Sequence, residues 1–183
     1  MAQEIERQFA IDDTHPDWIK IRDTLPKKRI IQTTIHRWDG NKLRVRLSED
    51  LQTGKKDALF AFKVQKKSRK NEPNVREEYE WEVPYRVALY IMIGHIEVRK
   101  LRHMYTHTDG KIWEIDMYEW ANSGIVIADL ELHTLDEKFE LPDWIGQETT
   151  KNKNITNNSF SMHPYMNWTE KEKAAFQALK TRK

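Results

Sequence analysis

The stretch Glu4-Ile5-Glu6-Arg7-Gln8-Phe9 decides the fold. A β-strand sends alternate side chains to opposite faces. Read as a strand, this stretch puts Glu4, Glu6 and Gln8 on one face, and Ile5, Arg7 and Phe9 on the other. One face is acidic and the other largely apolar. A single Glu-x-Glu of this kind describes an edge strand with one solvated side. Here the same charged alternation recurs in strand after strand downstream.

Working outward, residues 29–37 (RIIQTTIHR) are β-branched and read as a second strand, turning at Asp39-Gly40 into 42–47, where Arg44 and Arg46 share a face. After Thr53-Gly54 comes 58–65, with Lys63 opposite an apolar face of Phe60, Phe62 and Val64. Residues 76–83 place Arg76, Glu78, Glu80 and Glu82 on one side and Tyr79, Trp81 and Val83 on the other. Residues 97–106 carry Lys100 and Arg102 together, 112–120 carry Glu114 and Asp116, and 125–133 carry Asp129 and Glu131, with Asp109-Gly110 and Ser123-Gly124 as turns. Helices interrupt the meander. One starts near 13–18 with Trp18, Ile21 and Leu25 on one side, one runs from Pro84 to about Ile93, and a capping box at Thr169 to Glu172 opens a last one with Ala175, Phe176 and Leu179 on a stripe. The expected fold is α+β, mainly β: an eight-stranded antiparallel β-barrel with helices packed outside. Apolar faces then point outward and charged faces inward.

Composition bounds the function. With 183 residues the chain fits one domain, 1–168, with the helix at 169–183 as part of the same domain or a partner contact, for instance in a homodimer. Charged residues make up 33% and the net charge is only +2, which argues against a stable nucleic-acid partner. There is no cysteine, hence no disulfide, thiolate nucleophile or thiolate metal site. Met1 to Arg7 lack an apolar signal region and the longest apolar run, 87–93, is too short to cross a bilayer, so the expected location is cytoplasmic, away from membranes. The basic run at 66–73 reads as a solvated loop.

The inward charges then number eight acids (Glu4, Glu6, Glu78, Glu80, Glu114, Asp116, Asp129, Glu131) and six bases (Arg44, Arg46, Lys63, Arg76, Lys100, Arg102). A dry core cannot hold them, because each unpaired buried charge costs several kcal/mol. Carboxylate clusters want hard cations, and Arg/Lys clusters want a polyanion. A metal-bound polyphosphate satisfies both. There is no Walker loop and no His-Glu-x-x-His, and His103 and His107 are assigned structural or solvated roles.

These residues resemble the CYTH superfamily, the triphosphate tunnel metalloenzymes. The opening strand is similar to the Glu-x-Glu-x-Lys signature, and the resemblance continues in order through LRVR (43–46), FAFK (60–63), REEYEWEVP (76–84), VRKLR (98–102), WEIDMYEW (113–120), GIVIADLEL (124–132) and LPDWIGQETT (141–150), reaching about residue 168. It implies a tunnel that binds a linear triphosphate with Mg²⁺ or Mn²⁺, and a phosphohydrolase cleaving the terminal phosphate of inorganic tripolyphosphate or a related triphosphate. By the same resemblance Glu4, Glu6, Glu78, Glu80, Asp116, Asp129 and Glu131 would hold metal, and Gln8, Arg44, Arg46, Lys63, Arg76, Lys100 and Arg102 would hold substrate. Glu4, Glu6, Lys100 and Arg102 are the candidates for catalysis. The family also includes class IV adenylate cyclases. Two departures bear on the chemistry: Gln8 stands where the signature has lysine, and 152–157 (NKNITN) replaces the usual Asp-x-Arg-Tyr-x-Asn. Loss of the lysine keeps open a non-catalytic binder of polyphosphate or nucleotides.

Overall fold

Period-two alternation punctuated by turns builds strands, and the computed structural model has nine among the residues it describes: 2–39, 41–65, 75–134 and 136–182, with the side chains of 2–4, 65 and 75–77 outside that description. In chain order they run β1 (Ala2–Ile11), α1 (Pro16–Arg22), β2 (Lys27–Trp38), β3 (Asn41–Asp50), β4 (Lys56–Gln65), β5 (Val75–Glu82), α2 (Tyr85–Met92), β6 (Glu97–Thr106), β7 (Ile112–Tyr118), β8 (Val126–Leu132), β9 (Ile145–Glu148), α3 (Asn157–Met162) and α4 (Glu170–Leu179). The basic run at 66–73 lies outside the described residues. Among those described, no helix is long and apolar enough to cross a membrane.

All strands join one antiparallel sheet in the order β5-β4-β3-β2-β6-β7-β8-β1-β9. At the far end of that order β5 also pairs with β1, from Ala2↔Glu78 to Ile5↔Val75. The mainly β, α+β architecture is the one expected, but the sheet has nine strands rather than eight. The extra strand, β9, is four residues long, too short for alternation to announce it, and it pairs with β1 beyond a register shift between Phe9 and Ile11. Its Gly146 is required by packing. A Cβ there would lie 2.4 Å from the Leu179 carbonyl oxygen, because the end of α4 rests on this strand. Gln147 Nε2 donates to the Ala178 and Thr181 carbonyls, tying down the same helix end.

Three apolar clusters hold the sheet. On its outer face Trp18 of α1 packs with Phe9, Trp113, Ile115, Leu130 and Trp144. Elsewhere on that face Ala88 and Met92 of α2 cover Val45, Leu47 and Ala58. The third cluster corrects a sequence expectation. Val98, Tyr118 and Ile127 share their strand faces with Lys100, Asp116 and Asp129, yet they are buried with Ile155 and Phe160 of the α3 segment, and with Trp168 and Phe176. The charged faces are therefore apolar at one end, where α3 seats against them. Burying side chains of this size stabilises by about 1.5–3 kcal/mol each. The Thr169 capping box forms as expected, and Phe176 turns α4 onto this cluster.

Candidate active site

Strand register assembles the site. Across β1 and β8, Glu6 faces Glu131 and Gln8 faces Asp129. Across β6 and β7, Arg102 faces Asp116, and across β4 and β5, Lys63 faces Glu78. The result is a cavity of ≈ 300 Å³. Among the described residues its lining includes six bases (Lys42, Arg44, Arg46, Lys63, Lys100, Arg102) and six acids (Glu6, Glu78, Glu80, Glu114, Asp129, Glu131). Eleven of the residues expected at the site from sequence are brought together here: Glu6, Gln8, Arg44, Arg46, Lys63, Glu78, Glu80, Lys100, Arg102, Asp129 and Glu131. Glu4 and Arg76 are Cα partners across β1 and β5, but their side chains lie outside the described residues.

Asp116 is placed differently from its expectation as a metal ligand. It does not line the cavity. Fully buried behind the wall, it accepts from Lys100 Nζ and, at 2.8 Å each, from Arg102 Nε and Nη2. Burial alone would raise its pKa, but Arg102 and Lys100 outweigh that and bring it down to about 2. Arg102 also meets Glu114. Burial opposes its charge, yet Asp116, Glu114 and Asp129 raise its pKa well above the ordinary value. For Lys100 burial prevails, joined by Arg102, and its pKa falls. On the opposite wall Arg44 Nη2 donates to Glu78 Oε1 at 2.9 Å, Arg46 Nη2 to Glu80 Oε1 at 3.2 Å, and Lys63 Nζ lies 2.6 Å from Glu78 Oε2. The buried Arg44 Nε has no hydrogen-bond partner among the described residues, which leaves a donor for an incoming anion.

Among the described residues the β1–β8 side carries more acids than bases, with Arg102 Nη2 3.8 Å from Asp129 Oδ2. Asp129 has its pKa raised well above the carboxylate range by burial, then by Glu6 and Asp116. Glu131 is raised by burial, Glu114 and Glu6. Carboxylates that raise one another in this way are relieved by a hard cation. Among the described residues no three of His, Asp and Glu already form a metal cage. Mg²⁺ does not need one, since it binds through one or two carboxylates together with substrate phosphates and water. The donor set therefore fits a divalent ion, with Glu6, Asp129 and Glu131 as the residues that would hold it.

Gln8 lines the cavity with its side-chain amide engaged on both ends. Its Nε2 donates to Asp129 Oδ1 at 3.1 Å, and its Oε1 accepts from the buried Thr149 hydroxyl at 3.1 Å. Reading the sequence missed the uncharged part of the wall: Gln32, Thr34, Thr150, Ile155, Thr156, Asn157 and Asn158. Tyr118 donates to Asn157 Oδ1 at 2.7 Å, fixing that amide. The signal available was the departure at 152–157, which falls in the segment that closes the cavity.

Comparison with known proteins follows the same line. No family profile matches the chain. An inorganic triphosphatase of Acetivibrio thermocellus is 37% identical over 98 residues, a match covering 52% of this chain and 62% of that protein. The match thus spans less than two thirds of that relative's length. Among solved structures, the inorganic triphosphatase NE1496 superposes with a TM-score of 0.55 at 23% identity, covering 88% of this chain and 96% of that one. The PH1819 protein of Pyrococcus horikoshii OT3 gives 0.53 at 18% identity, covering 98% and 92%. At these identities the structural likeness is one of fold. Together the matches bear out the resemblance to the CYTH superfamily read from the motifs.

Proposed function

From the premise of that shared fold, we propose that this chain is a divalent-metal-dependent triphosphatase that cleaves the terminal phosphate of inorganic tripolyphosphate or a related small-molecule triphosphate. The observation that carries the reading is the charge distribution of the cavity. Its described lining holds six bases and six acids, segregated so that the bases concentrate on β3, β4 and β6 and the carboxylates with raised pKa values on β1 and β8. A linear polyanion can enter such a balanced cavity only in company with cations. In this reading the β1–β5 ladder closes the sheet into a tunnel, and residues 1–168 with the final helix form one cytoplasmic unit; the burial of Phe176 against Trp168 supports the last point.

The chain's own residues do mostly positioning and electrostatic work, as phosphoryl transfer requires. Lys100 and Arg102 are held in place by Asp116 and present fixed positive charge to the phosphates. Arg44, Arg46 and Lys63 exchange Glu78 and Glu80 for phosphate oxygens as the anion enters. Water attacks the terminal phosphorus in line. A bond to the new oxygen forms as the bridging P–O bond breaks, the water's protons pass to the phosphate products or to solvent, and these bases stabilise the charge that passes to the pyrophosphate leaving group. Mg²⁺ or Mn²⁺, when bound, supplies further neutralisation and a more nucleophilic water.

The test is a panel of tripolyphosphate, ATP, thiamine triphosphate and pyrophosphate, each with Mg²⁺ or Mn²⁺ and with EDTA, reading both released phosphate and cyclic nucleotide. Metal-restored phosphate release from tripolyphosphate is the expected result. Turnover that persists in EDTA, or cyclic AMP as the main product from ATP, would replace this reading.

A further inference from the structure

The ten residues 87–96 (VALYIMIGHI) contain no Asp, Glu, Lys or Arg, in a chain that is 33% charged. They form most of α2 and the turn after it. Ala88 and Met92 are buried against β3 and β4, but the opposite side of the segment is as apolar as the buried one. Tyr90 is 75% exposed, Ile93 73%, Ile96 63%, Val87 46% and Leu89 44%. A helix that is apolar all round is normally covered on every side.

A second observation lies on β6, which begins at Glu97, the residue after Ile96. In the sheet order β4-β3-β2-β6, the turn after α2 leads across β2 to β6. On the outer face of β6, Arg99 donates to Glu97 at 2.8 Å and lies 3.7 Å from the ring centre of Trp120. Trp120 is 70% exposed and holds φ at 59°, in the left-handed region that a bulky residue adopts only at a cost. An exposed Trp in strained backbone, stacked on an ion-paired Arg, has the composition found at the centre of protein interfaces.

We propose that α2, the turn after it and Trp120 form the contact face of a symmetric homodimer. A second copy is the occupant because the apolar segment carries no charge of either sign with which to select an oppositely charged partner. An anionic lipid surface would call for a cluster of basic residues. Here α2 has only Arg86, and Arg99 is already paired with Glu97. An unsigned apolar face is complementary to itself under a two-fold axis. The exposed parts of the five apolar side chains come to roughly 500 Å² per copy, so that two copies reach about the 1,000 Å² at which specific interfaces begin, and Trp120 adds to this. The final helix is the weaker candidate for that role, since its Phe176 is spent on the chain's own core.

Sedimentation velocity of the full chain over roughly 1 to 100 µM tests this. The expected species is a dimer, and Ile93→Glu should weaken dimerisation at least about thirtyfold, as at an interface centre, while tripolyphosphate hydrolysis shows the variant to be folded. Trp120→Gly adds a readout that a purely structural role would not give. Glycine relieves the left-handed backbone, so the dimer should weaken while the unfolding midpoint measured at monomer concentrations does not fall. A wild-type protein that is monomeric throughout, an Ile93→Glu variant that dimerises like wild type, or a monomer that pellets with anionic vesicles would each overturn the proposal.

Discussion

Asp116→Asn separates support of the cavity wall from metal binding. In wild type the carboxylate is fully buried and neutralises two cations, Lys100 and Arg102. Asn keeps the shape and removes the charge, leaving both cations without that partner. Its effect on stability follows from linkage. The folded carboxyl titrates at about 2, below its ordinary value of 3.8, so the ionised form stabilises the fold by roughly 2–3 kcal/mol, at about 1.4 kcal/mol per pKa unit. Because the folded pKa is depressed, this contribution is present in full above the unfolded value. It is lost as pH falls from about 4 towards 2. In urea unfolding, Asp116→Asn should therefore be less stable than wild type by about 2–3 kcal/mol at pH 7, within reach of the 3–5 kcal/mol seen when a buried pair is broken. The gap should shrink steadily below pH 4. Catalytic efficiency should fall as well, without being rescued by added metal, because the defect lies in the bases. A gap that is the same at pH 7 and pH 2.5, or recovery of wild-type kinetics at high Mg²⁺, would refute the assignment of Asp116 to Lys100 and Arg102.

Three further outcomes are expected. Glu6→Gln should raise the Mg²⁺ concentration needed for half-maximal rate, whereas Arg44→Ala should chiefly raise KM for tripolyphosphate; if excess metal rescues Arg44→Ala and not Glu6→Gln, the two roles are reversed. Gln8→Lys places an ammonium beside Asp129 and should lower that carboxyl's raised pKa and increase kcat/KM on tripolyphosphate by about tenfold, the difference of about 1.4 kcal/mol between charge-assisted and neutral hydrogen bonds; a lower efficiency would show the glutamine to be fitted to another triphosphate. Gly146→Ala should lower the unfolding midpoint, since its Cβ would sit 2.4 Å from a backbone carbonyl that cannot move as a side-chain tip would; an unchanged midpoint would mean that α4 is not anchored on β9.

What could be read from the sequence was what period two encodes. Glu6, Gln8, Arg44, Arg46, Lys63, Lys100, Arg102, Asp129 and Glu131 share the cavity because a strand cannot send i and i+2 to different faces. Depth along the cavity was not readable, since it depends on the stagger between strands. Asp116 has the same parity as Glu114, but pairing opposite Arg102 sets it behind the wall, while Glu114 lines it. Val98, Tyr118 and Ile127 obeyed the alternation too, and only the seating of α3 explains why apolar residues belong on the inner face. The wall from Thr150 to Asn158 has no period to read, because it is loop up to Thr156 and only the first turn of a six-residue helix beyond, and β9 was too short to show one.

The pairing of the cavity's charges sets the terms on which a polyanion enters. Arg44, Arg46 and Lys63 are each within ion-pair distance of a β5 carboxylate, so an arriving phosphate gains only the difference between its own oxygens and the carboxylate it displaces. A terminal phosphate group, with up to two negative charges against the carboxylate's one, wins that exchange in a partly buried site, where a guanidinium fork binds two of its oxygens at once. The exchange also has a second product. Glu78 and Glu80, released from their bases, add negative charge to a cavity that already crowds Glu6, Asp129 and Glu131. Each anion bound on the β3–β4 side therefore increases the demand for cations on the acidic side, and each cation bound there lowers the cost of the displaced carboxylates. Under the proposed function, metal and triphosphate would favour one another through the chain's own ion pairs, which is why removing a member from either set, Glu6 or Arg44, should alter the apparent affinity for both ligands.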